Sequence, residues 1–500
     1  MPSFLIRHCK CFLFCLICCL HSPAGAATFH VDLTGDDAAG DGSSANPWAT
    51  ITHALDSVAD ESIIEVHPGT YTGRIRIRGT FPIGVLVRSQ IPYRAKLRNN
   101  DTVITAYSSS AGVNGITIEG FDIAHSGSES GALVVHIDGN GNNDVNNITV
   151  KNNILHDSYN NDILKINNSC TNILVSGNVF YNQEGTDEHI DINSVSDVIV
   201  EDNIFFNDFA GSERANNNDT SSYIVIKDSN GSGDMFTGSR NITVRRDVFL
   251  NWEGSTGSNF LLIGEDGQDY HEAFDVLVEN NLMLGNSANV MRSSFGVKGG
   301  RDITFRNNTI SGDLPSFAYA MRLNQEGDNP VNSNIHFYNN VWADQEGTMG
   351  AENSSQPNDF SDTPPGETSS FTLDNNLYWN DSAAIPEDGS ELINYSDDSS
   401  RIVANPLLTA PAAIPLPRWI EASGQFGDGS TTIRTAFERL VINYAVPADN
   451  SPLPDHANSA FASDDDILGN QRPPLKDIGA FEQVDVSNDF PIAPILFLLR

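Results

Sequence analysis

A short motif recurs along the middle of the chain and constrains its fold more than any other feature. Each copy has Asn or Asp, an aliphatic residue, any residue, a second aliphatic residue, two polar residues and usually a final Asn. Seven copies cover residues 147–153, 172–178, 197–203, 241–247, 275–281, 302–308 and 334–340. Aliphatic residues two apart predict strands. A fixed strand with insertions of variable length predicts a parallel solenoid whose loops lie on one side.

The recurring Asn predicts a side-chain ladder, because Asn tolerates the left-handed αL conformation and hydrogen bonds to the turns above and below. We therefore predict an all-β fold, a right-handed parallel β-helix; a β-propeller would need longer and more even repeats. Residues 46–73 predict a short amphipathic helix, then a strand and a Pro-Gly turn. Such a helix would cap the first coil of the solenoid.

The two ends of the chain differ from the repeats. Residues 1–26 have the basic residues, apolar run and small-residue cleavage site of a secretory signal peptide. We place the β-helix at 27–385, and a loop-rich C-terminal segment with a closing strand at 386–490, packed on the β-helix. The signal predicts a secreted protein, extracellular or periplasmic. The apolar stretch at 491–500 is too short to span a bilayer, so we expect no membrane span. We also expect the protein to be a monomer.

The cysteine content and the net charge exclude several classes of protein. Five of the six cysteines lie in the signal, so Cys170 alone remains, which excludes an intrachain disulfide and a cysteine-based zinc site. The chain has 65 acidic and 28 basic residues, with a formal net charge of −37. This field argues against nucleic acid or an anionic membrane as partner. An anionic ligand would need a local basic patch.

Each motif is preceded by a second pair of apolar residues two apart, and alternation turns the neighbours of these residues outward. One predicted outward column reads His136, Lys165, Asp191, Val225, Leu262 and Gly296, with Arg322 near its end. A second column reads Asp138, Asn167, Asn193, Lys227, Gly264 and Lys298. A third reads Ile163, His189, Tyr223 and Phe260. Rungs about 4.8 Å apart would bring Lys165 against Asp191.

Three of the few lysines share this face, as binding of an anionic polysaccharide would require. Breaking a uronic-acid chain by β-elimination needs a base, a cation beside the carboxylate and an acid for the leaving oxygen. We assign the base to Lys165 and the acid to His189 or Tyr223. The expected substrate-binding residues are His136, Asp191, Asn193, Lys227, Lys298 and Arg322.

The segments at 46–73 and 472–483 resemble the opening and closing segments of secreted pectate-lyase-like β-helix proteins. Over residues 28–380 the chain is similar to polysaccharide lyases of the chondroitinase B and alginate lyase kind. In those lyases a lysine and an arginine on adjacent rungs face a calcium ion held by acidic and amide side chains. Lys165 matches the lysine, and His189 stands where the arginine is expected. The resemblance implies Ca²⁺ here, with candidate ligands Asp138, Asn167, Asp187, Glu188 and Asp191.

Other functions remain open at this stage. Residues 186–191, TDEHID, resemble the Asp-x-His signature of mannuronan C5-epimerases, which abstract the same proton but return one to the opposite face. A glycoside hydrolase would use two carboxylates about 5 to 9 Å apart, for which Asp138 and Asp191 qualify. A surface carbohydrate-binding or adhesion solenoid would bind glycans without turnover. The sequence favours a secreted polysaccharide lyase.

Overall fold

The computed structural model describes residues 26–107, 112–286, 289–314, 316–349, 359–411 and 413–483. The predicted signal segment, apart from Ala26, and the apolar stretch at 491–500 lie outside these ranges. Within them, no helix is both long enough and apolar enough to cross a membrane.

The chain winds into coils whose strands form three long parallel sheets. Each complete coil adds one strand to every sheet. Sheet A has 12 strands: β1 Thr28–Val31, β2 Ile63–Val66, β5 Gly79–Ser89, β8 Val113–Glu119, β11 Val145–Lys151, β14 Thr171–Ser176, β17 Ser196–Glu201, β20 Ser239–Arg245, β23 Ala273–Glu279, β26 Gly300–Arg306, β29 Ser333–Tyr338 and β32 Phe371–Asp374. Sheet B has 12 strands: β3 Gly69–Thr72, β6 Ala95–Asn99, β9 Asp122–His125, β12 Ile154–His156, β15 Val179–Tyr181, β18 Ile204–Phe206, β21 Val248–Phe249, β24 Leu282–Asn286, β27 Thr309–Asp313, β30 Val341–Asp344, β33 Leu377–Asn380 and β34 Ile402–Val403. Sheet C has 10 strands: β4 Ile75–Ile77, β7 Ile104–Tyr107, β10 Val135–Asp138, β13 Leu164–Asn167, β16 Glu188–Asn193, β19 Ser222–Lys227, β22 Asn259–Ile263, β25 Ser293–Lys298, β28 Ala318–Asn324 and β31 Asp359–Asp362. The predicted right-handed parallel β-helix is confirmed.

The final Asn of each motif forms a buried ladder at the corner between sheets A and B. Asn178 Oδ1 accepts hydrogen bonds from the backbone N and the Nδ2 of Asn153 at 2.9 and 3.2 Å, and Asn203 repeats this pattern on Asn178. The residue just before the ladder has a positive φ, 54° at Asn152. The predicted ladder and the predicted αL residue are therefore two neighbouring positions.

Asp247 replaces Asn in this ladder. Its Oδ1 accepts from the backbone N and the Nδ2 of Asn203 at 2.8 and 2.9 Å, while its Oδ2 is buried without a partner. Burial raises the pKa of the Asp247 carboxyl well above its usual value. The raised pKa favours the neutral carboxyl at this position, where the other coils have an amide.

Two helices cover parts of the coil. Helix α1, Ile51–Ser57, begins with the Thr50 side chain accepting from the His53 backbone N, and buries Ile51, Ala54 and Leu55, as the predicted cap requires. Helix α2, Ile433–Tyr444, was not predicted from sequence. Its apolar face packs with residues of sheet B such as Tyr181 and Phe206.

The C-terminal segment differs from the prediction in two further ways. Strand β34 extends the coil past the expected limit at residue 385. Residues 472–483 form no strand; a buried ion pair of 2.7 Å between Arg472 and Glu482 holds them instead. A short hairpin, β35 Trp419–Ile420 with β36 Gln425–Phe426, and two 3₁₀ turns, Gly231–Gly233 and Tyr395–Asp397, complete the described elements.

The same segment is bonded to four neighbouring coils. On each of these coils, the Asn at the positive-φ position donates its side-chain amide to a backbone carbonyl of the segment. The donor and acceptor pairs are Asn280 with Asp465, Asn307 with Asp477, Asn339 with Asn458 and Asn375 with His456, at 3.0, 3.1, 3.2 and 2.7 Å. Sheet C, in contrast, is flanked by loops such as 207–221 and 264–272.

Candidate functional site

Strand register places two of the predicted columns on the outer face of sheet C. In the first column, His136 pairs with Lys165 and Lys165 with Asp191, each one rung apart. The column continues through Val225, Leu262, Gly296 and Arg322. In the second column, Asp138 pairs with Asn167, Asn167 with Asn193, and Asn193 with Lys227. These registers follow the alignment made from sequence.

The third column was predicted wrongly, because its side chains are fully buried in the interior. His189 and Ile190 are adjacent in β16 and both are fully buried, so the alternation of inward and outward side chains fails there. The His189 ring stacks on Tyr223 at 4.4 Å, and its Nε2 is 3.0 Å from Asn207 Oδ1. Burial lowers the pKa of His189 to about 3.

Tyr223 is equally enclosed. Its hydroxyl donates to the carbonyls of Leu250 and Asn251, at 3.0 and 2.8 Å, and burial raises its pKa well above the usual value. Neither His189 nor Tyr223 reaches a ligand on the outer face, so the assignment of the acid to them is wrong. Tyr223 and Phe260 are also too deeply buried to stack on the sugar rings of a ligand.

Lys165 lies on the face as predicted but is held as a cation. Its Nζ forms an ion pair with Asp191 and lies 3.5 Å from Asp162 Oδ2. Burial alone would lower the pKa of Lys165, but the charges of Asp191 and Asp162 outweigh this effect and raise it. A protonated amine cannot accept a proton, so this geometry contradicts the assignment of Lys165 as the base.

Three buried carboxylates lie beside Lys165. Asp162, Glu188 and Asp191 place oxygens within 4.8 Å of one another. Burial, together with the charge of Asp191, raises the pKa of Asp162 to about 7. Burial, together with the charges of Glu265 and Asp162, raises the pKa of Glu188 well above normal. We call Asp162, Glu188 and Asp191 the acid cluster.

Sequence reasoning missed Asp162, although it ends the loop before β13 and its Oδ1 accepts from the Glu188 backbone N one rung away. Of the predicted calcium ligands, Glu188 and Asp191 belong to the cluster. Asp187, half-buried beside it, has a pKa raised to about 6 by burial. The other two candidates lie elsewhere: Asp138 Oδ1 accepts from Asn140 N and Asn168 Nδ2, and Asn167 contacts His136.

The predicted row of free cations is instead a row of ion pairs. Lys227 Nζ lies 2.5 Å from Glu265, Lys298 lies 2.6 Å from Glu326, and Arg322 lies 3.3 Å from Asp362. Arg322 is five rungs from Lys165, about 24 Å, so the two do not share one centre. Asn193 is also occupied, because its amide donates to Ser229 Oγ at 2.7 Å and its Oδ1 accepts from the Ser229 N.

His136 differs from its neighbours because it combines exposure with a free ring nitrogen. Its side chain is 23% exposed, as is that of Lys165. Nε2 lies 3.0 Å from Asn167 Oδ1, which can only accept, so Nε2 carries the proton. Nδ1 therefore keeps its lone pair, and no partner for it is found among the described residues. Burial lowers the pKa of His136, so the ring is neutral at pH 7.

The stacked coils define the class: this chain is a right-handed parallel β-helix protein. The family described as Protein of unknown function (DUF1565) matches residues 33–92, the region of the capping helix and the first coils. No curated protein has a sequence that significantly matches this chain.

Solved structures share the fold. A mannuronic acid specific polysaccharide family 6 lyase enzyme from human gut microbiota aligns with a TM-score of 0.50 and 10% identity, over 83% of this chain and 100% of that chain. XylC with xylose aligns at 0.49 and 11% identity, over 91% and 98%. Pectate lyase Pel9A aligns at 0.47 and 12%, over 92% and 98%. At 10% identity, the likeness to the family 6 lyase supports the fold alone.

Proposed function

We propose that this protein is a carbohydrate-active lyase that cleaves an acidic polysaccharide by β-elimination on the outer face of β10, β13 and β16. One observation carries the proposal: a neutral imidazole and a fixed ammonium stand side by side on adjacent rungs, at His136 and Lys165. Elimination next to a carboxylate needs this combination of a proton acceptor and a cation. The predicted signal segment supports export to the polysaccharide.

Lys165 is the group that neutralises the substrate. Its ammonium binds the uronate carboxylate and stabilises the negative charge that develops when the neighbouring C5 proton leaves. The ion pair with Asp191 fixes the direction of the side chain. Lys165, rather than Lys227 or Arg322, therefore binds the uronate carboxylate in this proposal.

His136 is the proposed base, through Nδ1. It takes the C5 proton, the C5–H electron pair forms the C4=C5 double bond, and the C4–O bond breaks. The resulting imidazolium then donates its new Nδ1 proton to the leaving oxygen, which restores the neutral ring. Asn167 holds the Nε2 proton throughout, so a single tautomer is presented to the substrate.

The acid cluster fits a calcium ion. Its donors are carboxylate oxygens, which Ca²⁺ prefers, and Asp191 Oδ1 is a buried oxygen without a hydrogen-bond partner. Asp162, Glu188 and Asp191 would hold the ion, and bound Ca²⁺ would supply positive charge beside the substrate carboxylate. Burial also disfavours the hydrolase alternative with Asp138 and Asp191, because Asp191 is 1% exposed and cannot flank a glycosidic bond.

The test is an assay of the full chain, with added Ca²⁺, on alginate, pectate, ulvan and glycosaminoglycans. The proposal expects ultraviolet absorbance from unsaturated uronate ends on at least one of them. New reducing ends without that absorbance would indicate a hydrolase, and a changed uronate ratio without chain shortening would indicate an epimerase. Binding without any product would indicate a carbohydrate-binding solenoid, and each of these three outcomes would overturn the proposal.

A further inference from the structure

Three arginines project outward around β4, the first strand of sheet C. Arg74 pairs with Asp101 and Arg78 pairs with Asp56, both at exposed positions where ion pairs contribute little. Arg76 lies between them and is exposed. Across the described ranges, it is the one Lys or Arg side chain for which no ion pair, hydrogen bond or aromatic contact is found. In a chain with 65 acidic residues, an unpaired cation is a notable exception.

These arginines line a cavity of about 470 Å³, whose other walls include Leu33, Thr52 and Tyr71. The cavity combines apolar and hydroxyl groups with three guanidinium groups, and a guanidinium binds carboxylate or sulfate in a bidentate manner. Because Arg74 and Arg78 are paired with carboxylates, Arg76 supplies the unpaired positive charge that an anion in this cavity would meet.

Strand register connects the cavity to the proposed centre. Arg76 pairs with Thr105, Thr105 with His136, and His136 with Lys165. Arg76 is therefore three rungs from Lys165 on the same face, about 14 Å away, a span longer than a monosaccharide.

The face between the two cations carries a group that suits a sugar. Tyr107, in the neighbouring column, is 45% exposed, and its hydroxyl donates to Asn140 Oδ1 at 3.0 Å. An exposed aromatic ring offers a flat surface on which a pyranose can stack.

We infer that the Arg76 cavity is an anion subsite that binds a second acidic group, carboxylate or sulfate, of the same glycan whose carboxylate contacts Lys165. The inference rests on the proposed function for the occupant of Lys165, but it concerns binding rather than turnover. The groove then runs across β4, β7, β10 and β13, and the preferred ligand is an oligosaccharide rather than a single sugar. Arg76 is a specificity residue in this arrangement.

The test measures binding by calorimetry with three probes: a uronate hexasaccharide, the matching disaccharide and a sulfated hexasaccharide that contains no uronate. The variants are Arg76→Ala and Arg76→Lys in a His136→Gln background, which keeps the ligand intact. Arg301→Ala is the matched control, because Arg301 lies on sheet A, has a side chain that is 42% exposed and pairs with its neighbour Asp302.

Arg76→Ala should weaken hexasaccharide binding about tenfold and reduce its salt dependence, as expected for one lost charged contact. The affinity of Arg76→Ala for the disaccharide should be unchanged. Arg76→Lys should lose less affinity for the hexasaccharide than Arg76→Ala, and Arg301→Ala should lose none. Weakened binding of the sulfated probe would identify sulfate as an accepted anion, and an unchanged one would restrict the subsite to carboxylate. Equal losses for hexasaccharide and disaccharide, or no loss for either, would overturn the inference.

This design separates the subsite from the proposed reaction. If the wild-type protein binds uronate hexasaccharide without forming product, the lyase proposal fails while the Arg76 result still decides the subsite. If the wild-type protein binds none of the three probes, both fail.

Discussion

Lys165 on β13 and Asp191 on β16 are register partners one rung apart, and their side chains form an ion pair. They are 26 residues apart in the chain, so only the coiling brings them together. Asp191 is almost fully buried, whereas Lys165 is partly exposed. The buried acid therefore fixes the direction and the charge of the lysine that a ligand on this face would meet.

Replacing Lys165 by Met should separate two effects. Activity should fall at least 100-fold, because the cation opposite the developing charge is lost. The free energy of unfolding should fall by about 3 kcal/mol, because Asp191 is left buried without its partner. The double variant Lys165→Met, Asp191→Asn should regain part of this stability in urea unfolding but no activity. Full activity in the single variant would exclude Lys165 from the centre.

His136→Gln should lower kcat at least 100-fold if the ring transfers the proton. The neutral ring is the active form, and burial lowers its pKa below 6.5. Activity should therefore be complete above pH 6.5 and fall as the pH drops through the lowered pKa. Asn167→Asp places a carboxylate at Nε2 and should move this acid limb upward by about one pH unit, read from the pH dependence of kcat/KM.

His189→Phe is the control for that experiment. It replaces an interior ring by another ring of similar shape, so kcat should stay within about twofold of wild type and the acid limb should not move. A large loss of kcat in a folded His189→Phe protein would restore the assignment of the acid to His189.

Calcium should stabilise the folded protein through the acid cluster. Ca²⁺ at 100 times its Kd should add about 2.7 kcal/mol to the free energy of unfolding, and a chelator should remove this gain. Glu188→Gln and Asp162→Asn should abolish the Tm shift. Asp138→Asn should keep it, because Asp138 lies outside the cluster. A shift that survives in Glu188→Gln would place the ion elsewhere.

Asp247→Asn should stabilise the protein at neutral pH. The unfolded carboxyl titrates near pH 3.9 and the folded one well above it, so above pH 3.9 the folded state holds a proton that the unfolded state has lost. Wild-type stability should therefore fall as the pH rises from about 4 through the raised pKa, and the variant should lose this slope. A gain of about 2 kcal/mol at pH 7, and none at pH 3, is expected in urea unfolding.

A matched substitution at another ladder position should change the free energy of unfolding at neutral pH in the opposite direction. Asn281→Asp introduces a second carboxyl into an equivalent buried position and should lower stability at pH 7 but not at pH 3. Equal stability of Asp247→Asn and wild type at every pH would show that the carboxyl of Asp247 is not protonated in the folded state.

The sequence was sufficient for the architecture and for the register of sheet C, because both follow from aliphatic residues two apart. His136, Lys165 and Asp191 could be placed in one column without any coordinates, although His136 and Asp191 are 55 positions apart in the sequence. The error at His189 came from the same rule. Alternation fails at the start of β16, where the adjacent residues His189 and Ile190 are both buried, and periodicity alone does not show where such an irregularity falls.

The charge state of the site depends on groups outside the strands, and this limited the prediction. Asp162 and Glu265 lie in loops, yet they raise the pKa of Lys165 and of Glu188 respectively. Their distances depend on how each loop folds back on sheet C, which periodicity does not encode. Helix α2 was missed because the Pro-, Ser- and Asp-rich composition around it concealed its apolar face.

The bonds from four successive Asn side chains to the C-terminal segment change how the protein should come apart. In a solenoid each coil contacts only its neighbours, so unravelling can start at an open end and proceed one turn at a time. Here residues 456–477 link four coils to one another through hydrogen bonds with Asn280, Asn307, Asn339 and Asn375. That block should open as one cooperative unit, which makes the C-terminal half of the β-helix resistant to fraying.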